Sequence, residues 1–258
     1  MYLNTRVWPF SNLAARQGIN YAVDRNKMIG LIGGSLAGQP TCQILAPTLT
    51  GYRPYCPYTI NPGPSGAWTA PDMAKAQQLV HASGTAGAKV TVLAGGWDPG
   101  NPVQAAAQYF VSILNQLGYR ASLRVILDPQ AYVQRAYDSR AQSQIGEFSW
   151  FEDFPGPSDF IVPLLTCQSF TPHTVDNLNV SEFCDRHIDA EVAQARQLGA
   201  KYPNASGTLW TQIDRDIVDQ APWVPLYNPN VLVLLSRRVG NFQLHPLWNL
   251  LLDQMWVR

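Results

Sequence analysis

The residues with the clearest potential for binding chemistry form a short segment, Trp150-Phe151-Glu152-Asp153, which is followed by a proline-rich turn. A carboxylate such as Asp153 accepts a charge-assisted hydrogen bond from an ammonium group, and a cleft that excludes water strengthens this bond. The indole ring of Trp150 has a face that can stack on a peptide bond or cover a cation. These residue types are therefore candidate contacts for a positively charged group. The alternative is structural, since aspartates also order turns and most tryptophans pack in a core.

Trp97 is a second aromatic candidate, because it follows the strand predicted over residues 89–93, just as Trp150 ends another predicted strand. Ligands of α/β sheets bind outside the carboxyl ends of the parallel strands. Phe151 and Glu152 complete the set of candidate ligand contacts. Glu152 makes the loop more acidic, which favours a cationic ligand, although a solvated surface glutamate is the simpler account of it. Core packing is again the alternative for both tryptophans.

Enzymatic chemistry finds little support in the sequence. The four histidines are dispersed along the chain: His81, His173, His187 and His245. No G-x-S-x-G, H-E-x-x-H or P-loop motif occurs. Glu152 and Asp153 are adjacent, so they cannot face each other across a substrate as the two carboxylates of a glycosidase do. We therefore predict no catalytic residue, no cofactor and no metal.

Four cysteines fall into two local pairs. Cys42 and Cys56 enclose 13 residues, and Cys167 and Cys184 enclose 16, in both cases rich in turn formers. We predict a disulfide in each pair, which would stabilise its loop by about 3 kcal/mol in the chain-entropy model. A zinc site is the alternative, but no C-x-x-C spacing occurs. Disulfides indicate an oxidising compartment. Because the first ten residues contain no charged-then-apolar leader, we expect a fragment whose export signal lies upstream.

The overall charge excludes one large class of partners. The 258 residues include 18 basic and 18 acidic side chains, so the formal net charge is zero, and the longest basic run is Arg237-Arg238. Nucleic-acid binding depends on clustered Lys and Arg. No apolar run approaches the length that crosses a bilayer. We therefore expect the partners to be small molecules or other proteins.

Periodic apolar residues predict an α/β fold around these candidates. Helices are predicted at residues 11–33, 71–81, 101–117, 129–139, 157–165, 185–198 and 206–220. Strands are predicted at residues 89–93, 122–127, 144–150, 223–227 and 231–236, the last two of them buried. The order strand–helix–strand–helix–strand between residues 89 and 150 is typical of parallel strands joined by right-handed crossovers. Residues 39–65 form a long loop, to which the first disulfide would give order.

Four segments, taken in order, resemble the extracellular solute-binding proteins of peptide-type ABC transporters, whose members bind dipeptides, oligopeptides or nickel. Residues 3–30 resemble the "LNT…PF" strand and "R-x-A-I-N-Y-A-x-D-R" helix of that family, and residues 82–123 resemble its strand, cleft loop and helix. Residues 150–157 are similar to its "W-x-x-D-x-x-(D/E)-P" loop, and residues 219–227 to its "A-P-x-x-P-L-Y" strand. The resemblance covers nearly the whole chain but only the carboxyl half of a family member.

The resemblance implies a periplasmic-binding-protein-like lobe, a mixed sheet flanked by helices, which forms one half of a two-lobed hinged binder. Residues 1–8 would be a strand of the missing first lobe, residues 9–228 the second, ligand-binding lobe, and residues 229–258 a segment that returns to the first lobe. In the peptide binders, the aspartate that matches Asp153 receives the α-amino group of the peptide. The resemblance thus gives Asp153 a specific role.

One departure from the family narrows the choice of solute. Dipeptide binders carry an arginine in the loop after the first strand, where it pairs with the peptide carboxylate. Here residues 94–98 read AGGWD, without a basic side chain. Longer peptides or another solute class therefore fit better than dipeptides. Dipeptide-binding members also have a disulfide after the tryptophan loop, where Cys167 and Cys184 fall.

These inferences together predict part of the substrate-binding component of an ABC importer, which would hold a peptide or a related cationic solute between its lobes and present it to a membrane permease. The complete protein would be extracytoplasmic, in the periplasm or at the cell surface, and lipid-anchored. Two alternatives stay open: a solute-sensing domain of a regulatory or receptor protein with the same fold, and an interaction module that has lost solute binding. We expect no nucleic-acid partner and no insertion of this segment into a membrane.

Overall fold

A computed structural model describes residues 1–96, 102–202, 205–245 and 249–258 of the chain. The helices of the described residues are α1 (Leu13–Ala22), α2 (Arg25–Leu31), α3 (Met73–Ala82), α4 (Pro102–Gln116), α5 (Pro129–Tyr137), α6 (Pro157–Leu165), α7 (Arg186–Lys201) and α8 (Gly207–Gln220). The strands are β1 (Tyr2–Leu3), β2 (Gly38–Pro40), β3 (Lys89–Gly95), β4 (Arg120–Ile126), β5 (Ile145–Gly146), β6 (Tyr227–Pro229), β7 (Val239–Gly240), β8 (Leu244–His245), β9 (Asn249–Leu250) and β10 (Trp256–Val257). Within these ranges, no helix combines the length and the apolar character that spanning a bilayer requires.

A four-stranded mixed sheet with the strand order β1-β5-β3-β4 organises the lobe. Strand β3 runs parallel to β4 over seven residue pairs, from Lys89–Arg120 to Gly95–Ile126, and parallel to β5 over two pairs. Strand β1 lies at the edge, antiparallel to β5. The predicted fold class, an α/β lobe with a mixed sheet flanked by helices, is confirmed.

The alternation of side chains along β3 explains which face of the sheet α4 covers. Val90, Val92 and Ala94 are buried and belong to one hydrophobic core with Phe110 and Leu114 of α4. The residues between them point to the opposite face, because successive side chains of a strand alternate. Helix α5 contacts β3 and β4 from that opposite side. The sheet thus has one fully covered face and one that α5 covers in part.

A second hydrophobic core joins helices α6, α7 and α8 with the loop over residues 39–65. Its fully buried members include Ile161 of α6, Ile188 of α7 and Ile217 of α8. Each helix presents its apolar residues at helical spacing toward this core, which accounts for the three helices being packed together. The candidate ligand loop leads directly into α6, which is anchored in this core.

Both predicted disulfides, Cys42–Cys56 and Cys167–Cys184, are formed. Cys42–Cys56 closes the loop over residues 39–65, whose described backbone includes only the last residues of β2 as regular structure. The zinc alternative is wrong, because all four cysteines are joined in these bridges. The loop thus has a covalent constraint where secondary structure is sparse.

The same loop is also tied to α8 by one buried carboxylate. Asp214 accepts hydrogen bonds from the backbone N–H of Ile44 (3.0 Å) and of Leu45 (3.2 Å) and from Nε2 of Gln43 (2.7 Å). Burial raises the pKa of Asp214 to about 6, although these three bonds favour its charged form and oppose the rise. The carboxylate of Asp214 therefore holds the loop to α8, although burial of its charge is unfavourable.

The single helix predicted over residues 11–33 is wrong, because the chain forms two helices there. The side chain of Asp24 accepts a hydrogen bond from the backbone N–H of Lys27 and so caps the start of α2. Asn12, and not Ser11, caps α1 in the same way. The apolar spacing alone predicts one continuous helix, but a polar side chain that bonds the nearby backbone starts a second helix.

The strand predicted over residues 144–150 is shorter, since only β5 forms. At its start the side chain of Gln144, in place of a backbone carbonyl, accepts a hydrogen bond from the backbone N–H of Thr91 at 2.8 Å. The same side chain donates to the carbonyl of Lys89 at 3.0 Å. The side chain of Gln144 therefore takes the hydrogen-bonding positions beside β3, and the backbone pairing between β3 and β5 begins at Ile145.

The buried strand predicted over residues 231–236 is wrong. These residues form no strand, and most of their apolar side chains are exposed, by 58% for Val231, 67% for Leu232 and 100% for Leu234, whereas Val233 is half-buried. Of the strand predicted at 223–227, only Tyr227 is in a strand, as the first residue of β6, which pairs with β2. Val231, Leu232, Leu234 and Leu235 thus form an exposed apolar segment.

The first residues of the chain form the edge strand of the sheet. Tyr2 and Leu3 form β1, pair with Gly146 and Ile145, and are fully buried. Because a buried, paired strand is part of the core that it pairs with, these residues belong to the sheet described here. The expected division of the chain at residue 8 stays a prediction.

Candidate functional site

The candidate loop Trp150–Asp153 leaves the sheet at the carboxyl end of β5. It is fastened by Asp159, a carboxylate in the first turn of α6 that is only 4% exposed. The Oδ2 atom of Asp159 accepts hydrogen bonds from the backbone N–H of Asp153 at 2.9 Å and from Nε1 of Trp150 at 3.3 Å. One buried side chain therefore fixes both ends of the loop.

The position of Asp159 follows from how α6 begins. Pro157 is the first residue of the helix, where its missing N–H costs nothing, and Gly156 precedes it without a side-chain cap. Asp159 lies in the first helical turn, and a negative charge there is stabilised by the helix dipole. The short turn before α6 thus places the carboxylate of Asp159 beside the loop Trp150–Asp153.

The carboxylate of Asp153 is exposed, and it forms no hydrogen bond or ion pair with any described residue. Its backbone N–H is held by Asp159, so the residue is ordered while its charged group stays free. Asp153 does not cap α6. The charge is thus available to a group from outside the described part of the chain.

Three aromatic residues near Asp153 in the sequence, Trp150, Phe151 and Phe154, differ in how far they are buried. Trp150 is partly buried, packs against the second core and stacks on Phe148 with centroids 6.3 Å apart and planes at 10°. Phe151 is 74% exposed and Phe154 is 48% exposed. Large apolar rings in solvent beside a charged group are typical of a binding surface. Glu152, between Phe151 and Asp153, is half-buried.

Sequence reasoning missed Glu147, which follows β5 directly. The pKa of Glu147 is raised by burial, and its backbone carbonyl accepts a hydrogen bond from the hydroxyl of Tyr132. A Cβ placed on Gly95, the last residue of β3, would lie 3.3 Å from the ring of the same tyrosine. Tyr132 therefore joins the carboxyl ends of two parallel strands. A glutamate within the strand predicted over residues 144–150 was the available signal.

The structure brings Trp150, Phe151, Glu152 and Asp153 together at the end of β5, as adjacent residues of one loop. Trp97 lies outside the described residues, so its predicted ligand contact stays a prediction. The strand that leads to it, β3, ends at Gly95 beside Tyr132. Within the described ranges, no group of three or more His, Cys, Asp or Glu side chains is arranged to hold a metal ion.

A family model described as "Bacterial extracellular solute-binding proteins, family 5 Middle" matches residues 1–172. Heme-binding protein A of Haemophilus influenzae is 28% identical over 254 residues, which are 94% of this chain and 41% of that protein. Di/tripeptide-binding protein 4 of Pseudomonas aeruginosa is 26% identical over 227 residues, 87% of this chain and 39% of that protein. The chain thus spans about two fifths of the length of these curated relatives.

Solved structures show the same fold. A periplasmic binding protein from Helicobacter pylori, in complex with the peptide STSA, superposes with a TM-score of 0.81 at 21% identity, over 99% of this chain and 46% of that one. A dipeptide-binding protein from Pseudoalteromonas in complex with Met-Leu gives a TM-score of 0.75 at 21% identity, over 100% of this chain and 47% of that one. In both cases the chain corresponds to about half of a larger molecule.

Proposed function

Because this chain belongs to family 5 of the bacterial extracellular solute-binding proteins, we propose that it forms one lobe of a two-lobed receptor that delivers its solute to an ABC importer. Closure of two lobes over a solute would present the closed form to a permease, and affinity would then depend on the closed population as well as on contacts. The names of the relatives, which all denote binding, support a role without catalysis.

The proposed solute is a peptide or a related cationic compound that places an ammonium group on Asp153. The supporting observation is an exposed carboxylate without a partner among the described residues, held by its backbone beside the exposed ring of Phe151. Glu152 adds a second negative charge to the loop, and Trp150 and Trp97 would line the cleft. A charge-assisted hydrogen bond to an ammonium contributes about 1.5–3 kcal/mol.

The proposed division of the chain assigns residues 229–258 to a return toward another lobe. The exposed leucines and valine of residues 231–235 support this assignment, because an apolar patch of this kind is typically covered by a partner surface. The sheet and its helices, from β1 to residue 228, would then form the ligand-binding lobe. Such a lobe alone presents only one wall of a cleft.

The proposed location is outside the cytoplasm, in the periplasm or at the cell surface, with a lipid anchor on the complete protein. Two disulfides within a 258-residue chain support an oxidising compartment. The description of the matching family as extracellular agrees with this location.

Substitution of Asp153 tests the proposed role most directly. We expect Asp153→Asn in the complete protein to weaken binding of a peptide with a free α-amino group by about tenfold to hundredfold, since one charge-assisted bond is lost. Isothermal titration calorimetry would measure this change. The same peptide with an acetylated amino group should bind the original protein weakly and be insensitive to the substitution.

Asp176→Asn is the matched control, because it removes the same charge from an exposed position that is distant in sequence from the loop. Equal losses in the two variants would show that only the general charge matters. Native mass spectrometry of the complete protein, purified without added solute, identifies a co-purified peptide directly. Binding of peptides that ignores both the free amino group and Asp153 would refute the proposed site.

A further inference from the structure

A small pocket lies on the face of the sheet opposite α4. It has a volume of about 130 Å³ and is lined by Thr91, Leu93, Arg124, Arg135, Gln142, Ser143 and Gln144. Residues 142–144 precede β5, whereas the candidate ligand loop follows it. The lining of the pocket shares no residue with the loop over residues 150–153.

The charge of the pocket wall is entirely positive. Arg124 of β4 and Arg135 of α5 line it, and no acidic side chain does. Arg124 is exposed and forms no hydrogen bond or ion pair with any described residue. Asp138, the acid that follows α5, is paired with Arg140 at 2.8 Å, and the nearby charge of Arg135 also lowers the pKa of this carboxyl. Two guanidinium groups around one cavity repel each other unless a negative group lies between them.

Arg135 adds a buried donor that the fold leaves unused. Its Nη2 atom donates to the carbonyl of Ala141 at 2.9 Å, which fixes the side chain, whereas its Nε–H is buried without an acceptor among the described residues. A buried N–H without a partner costs about 1–3 kcal/mol. The same side chain lines the pocket.

The remaining polar groups also suit an anion. Thr91, Ser143 and Gln142, whose side chains can donate hydrogen bonds, also line the cavity. Gln144 is not free, because its side chain already bonds Thr91, Lys89 and Trp8. The cavity of about 130 Å³ is roughly four times the share of about 30 Å³ that a water molecule has in the liquid. It therefore has room for one tetrahedral oxyanion.

We propose that this pocket binds a small free oxyanion of the phosphate or sulfate type, held between Arg124 and Arg135. The planar guanidinium group presents paired donors that match two oxygens of such an ion. The site does not depend on the proposed transport role, since none of its residues belongs to the candidate ligand loop.

Titration of the protein with inorganic phosphate at constant ionic strength tests the site, with calorimetry or the chemical shift of the arginine Nε–H as the readout. We expect saturable binding to the original protein and about tenfold weaker binding to Arg124→Gln, because one charge-assisted contact is removed. Ser143→Ala should give a smaller loss in the same direction. Arg124 is exposed, so its substitution leaves the core intact.

Lys89→Gln is the matched control, because it removes one positive charge from the start of β3, near the pocket but outside its lining. Binding to this variant should stay within about twofold of the original, as expected for a change in a solvent-exposed charge. A linear, non-saturating response in the original protein overturns the proposal. An equal loss in Lys89→Gln and Arg124→Gln does so too, because it would reflect only diffuse charge.

Discussion

At the residue scale, one buried carboxylate decides the shape of the candidate site. Asp159 is not itself exposed to a solute, yet it holds the indole of Trp150 and the backbone of Asp153 through a single oxygen. A loop that is ordered before a ligand arrives loses less conformational freedom when the ligand binds. Asp159 therefore acts as a positioning residue for the proposed contact.

Removal of Asp159 should loosen the loop. We expect Asp159→Ala to lower the free energy of unfolding by about 1–3 kcal/mol, because two donors lose a charged acceptor. The amide of Asp153 should also exchange its hydrogen faster, as measured by hydrogen exchange with mass spectrometry. Ser158→Ala, one residue away, is the control for which both quantities should stay unchanged. An unaltered exchange rate at Asp153 in Asp159→Ala would contradict the positioning role.

Asp214 makes stability depend on pH in a defined direction. Burial raises its pKa from 3.8 to about 6, so the folded state binds the proton more tightly than the unfolded chain does between these values. Stability from this group is therefore full below the unfolded value near pH 4, falls as the pH rises toward 6, and then levels off. The difference amounts to about 3 kcal/mol for two pKa units.

Denaturant unfolding of the protein and of Asp214→Asn, at pH values from 4 to 7, measures this effect. The variant should lose stability at every pH, because its amide would face the Nε2 donor of Gln43, and it should also lose part of the slope between pH 4 and pH 6. The slope is the informative quantity, since a purely structural role of Asp214 would leave it the same. Identical slopes in the two proteins would contradict the raised pKa.

At the element scale, the sequence predicted helix α6 with its correct limits, because Pro157 marks its first turn. It predicted one helix where α1 and α2 form, since apolar spacing does not reveal that Asp24 will turn back to bond Lys27. The short β5 has a similar cause in Gln144, whose side chain takes a backbone position in the ladder. Side-chain bonds to the backbone thus account for both errors.

The disulfide-closed loop permits a quantitative test of the chain-entropy account. Cys42 and Cys56 are 14 residues apart, and Cys167 and Cys184 are 17 apart. Because the two loops have similar length, each double Cys→Ser variant should lose a similar free energy of unfolding, about 3 kcal/mol. Denaturant unfolding of the two variants measures this. A loss confined to one of them would show that native contacts, such as those of Asp214, replace the bridge in the other.

At the scale of the whole molecule, the sequence predicted the α/β lobe and the loop that carries the candidate contacts, but not their support. Asp159 was missed because its role depends on a turn that brings residues 153 and 159 together in space. The arginine pocket was missed because Arg124 and Arg135 belong to different elements. The exposure of residues 231–235 was missed because composition indicates burial and does not identify the surface that provides it.

The two hydrogen bonds that Asp159 accepts from the loop have a consequence for sequence variation in this lobe. Its bonds reach the ring of Trp150 and the main chain at position 153, so the side chains of Phe151 and Glu152 make no hydrogen bond to any described residue. Because Phe151 is exposed and Glu152 is half-buried, we expect substitutions at these two positions to leave the bonds of Asp159 intact. Natural variants could therefore acquire new solute preferences through substitutions at Phe151 and Glu152, while Asp159 and α6 stay the same.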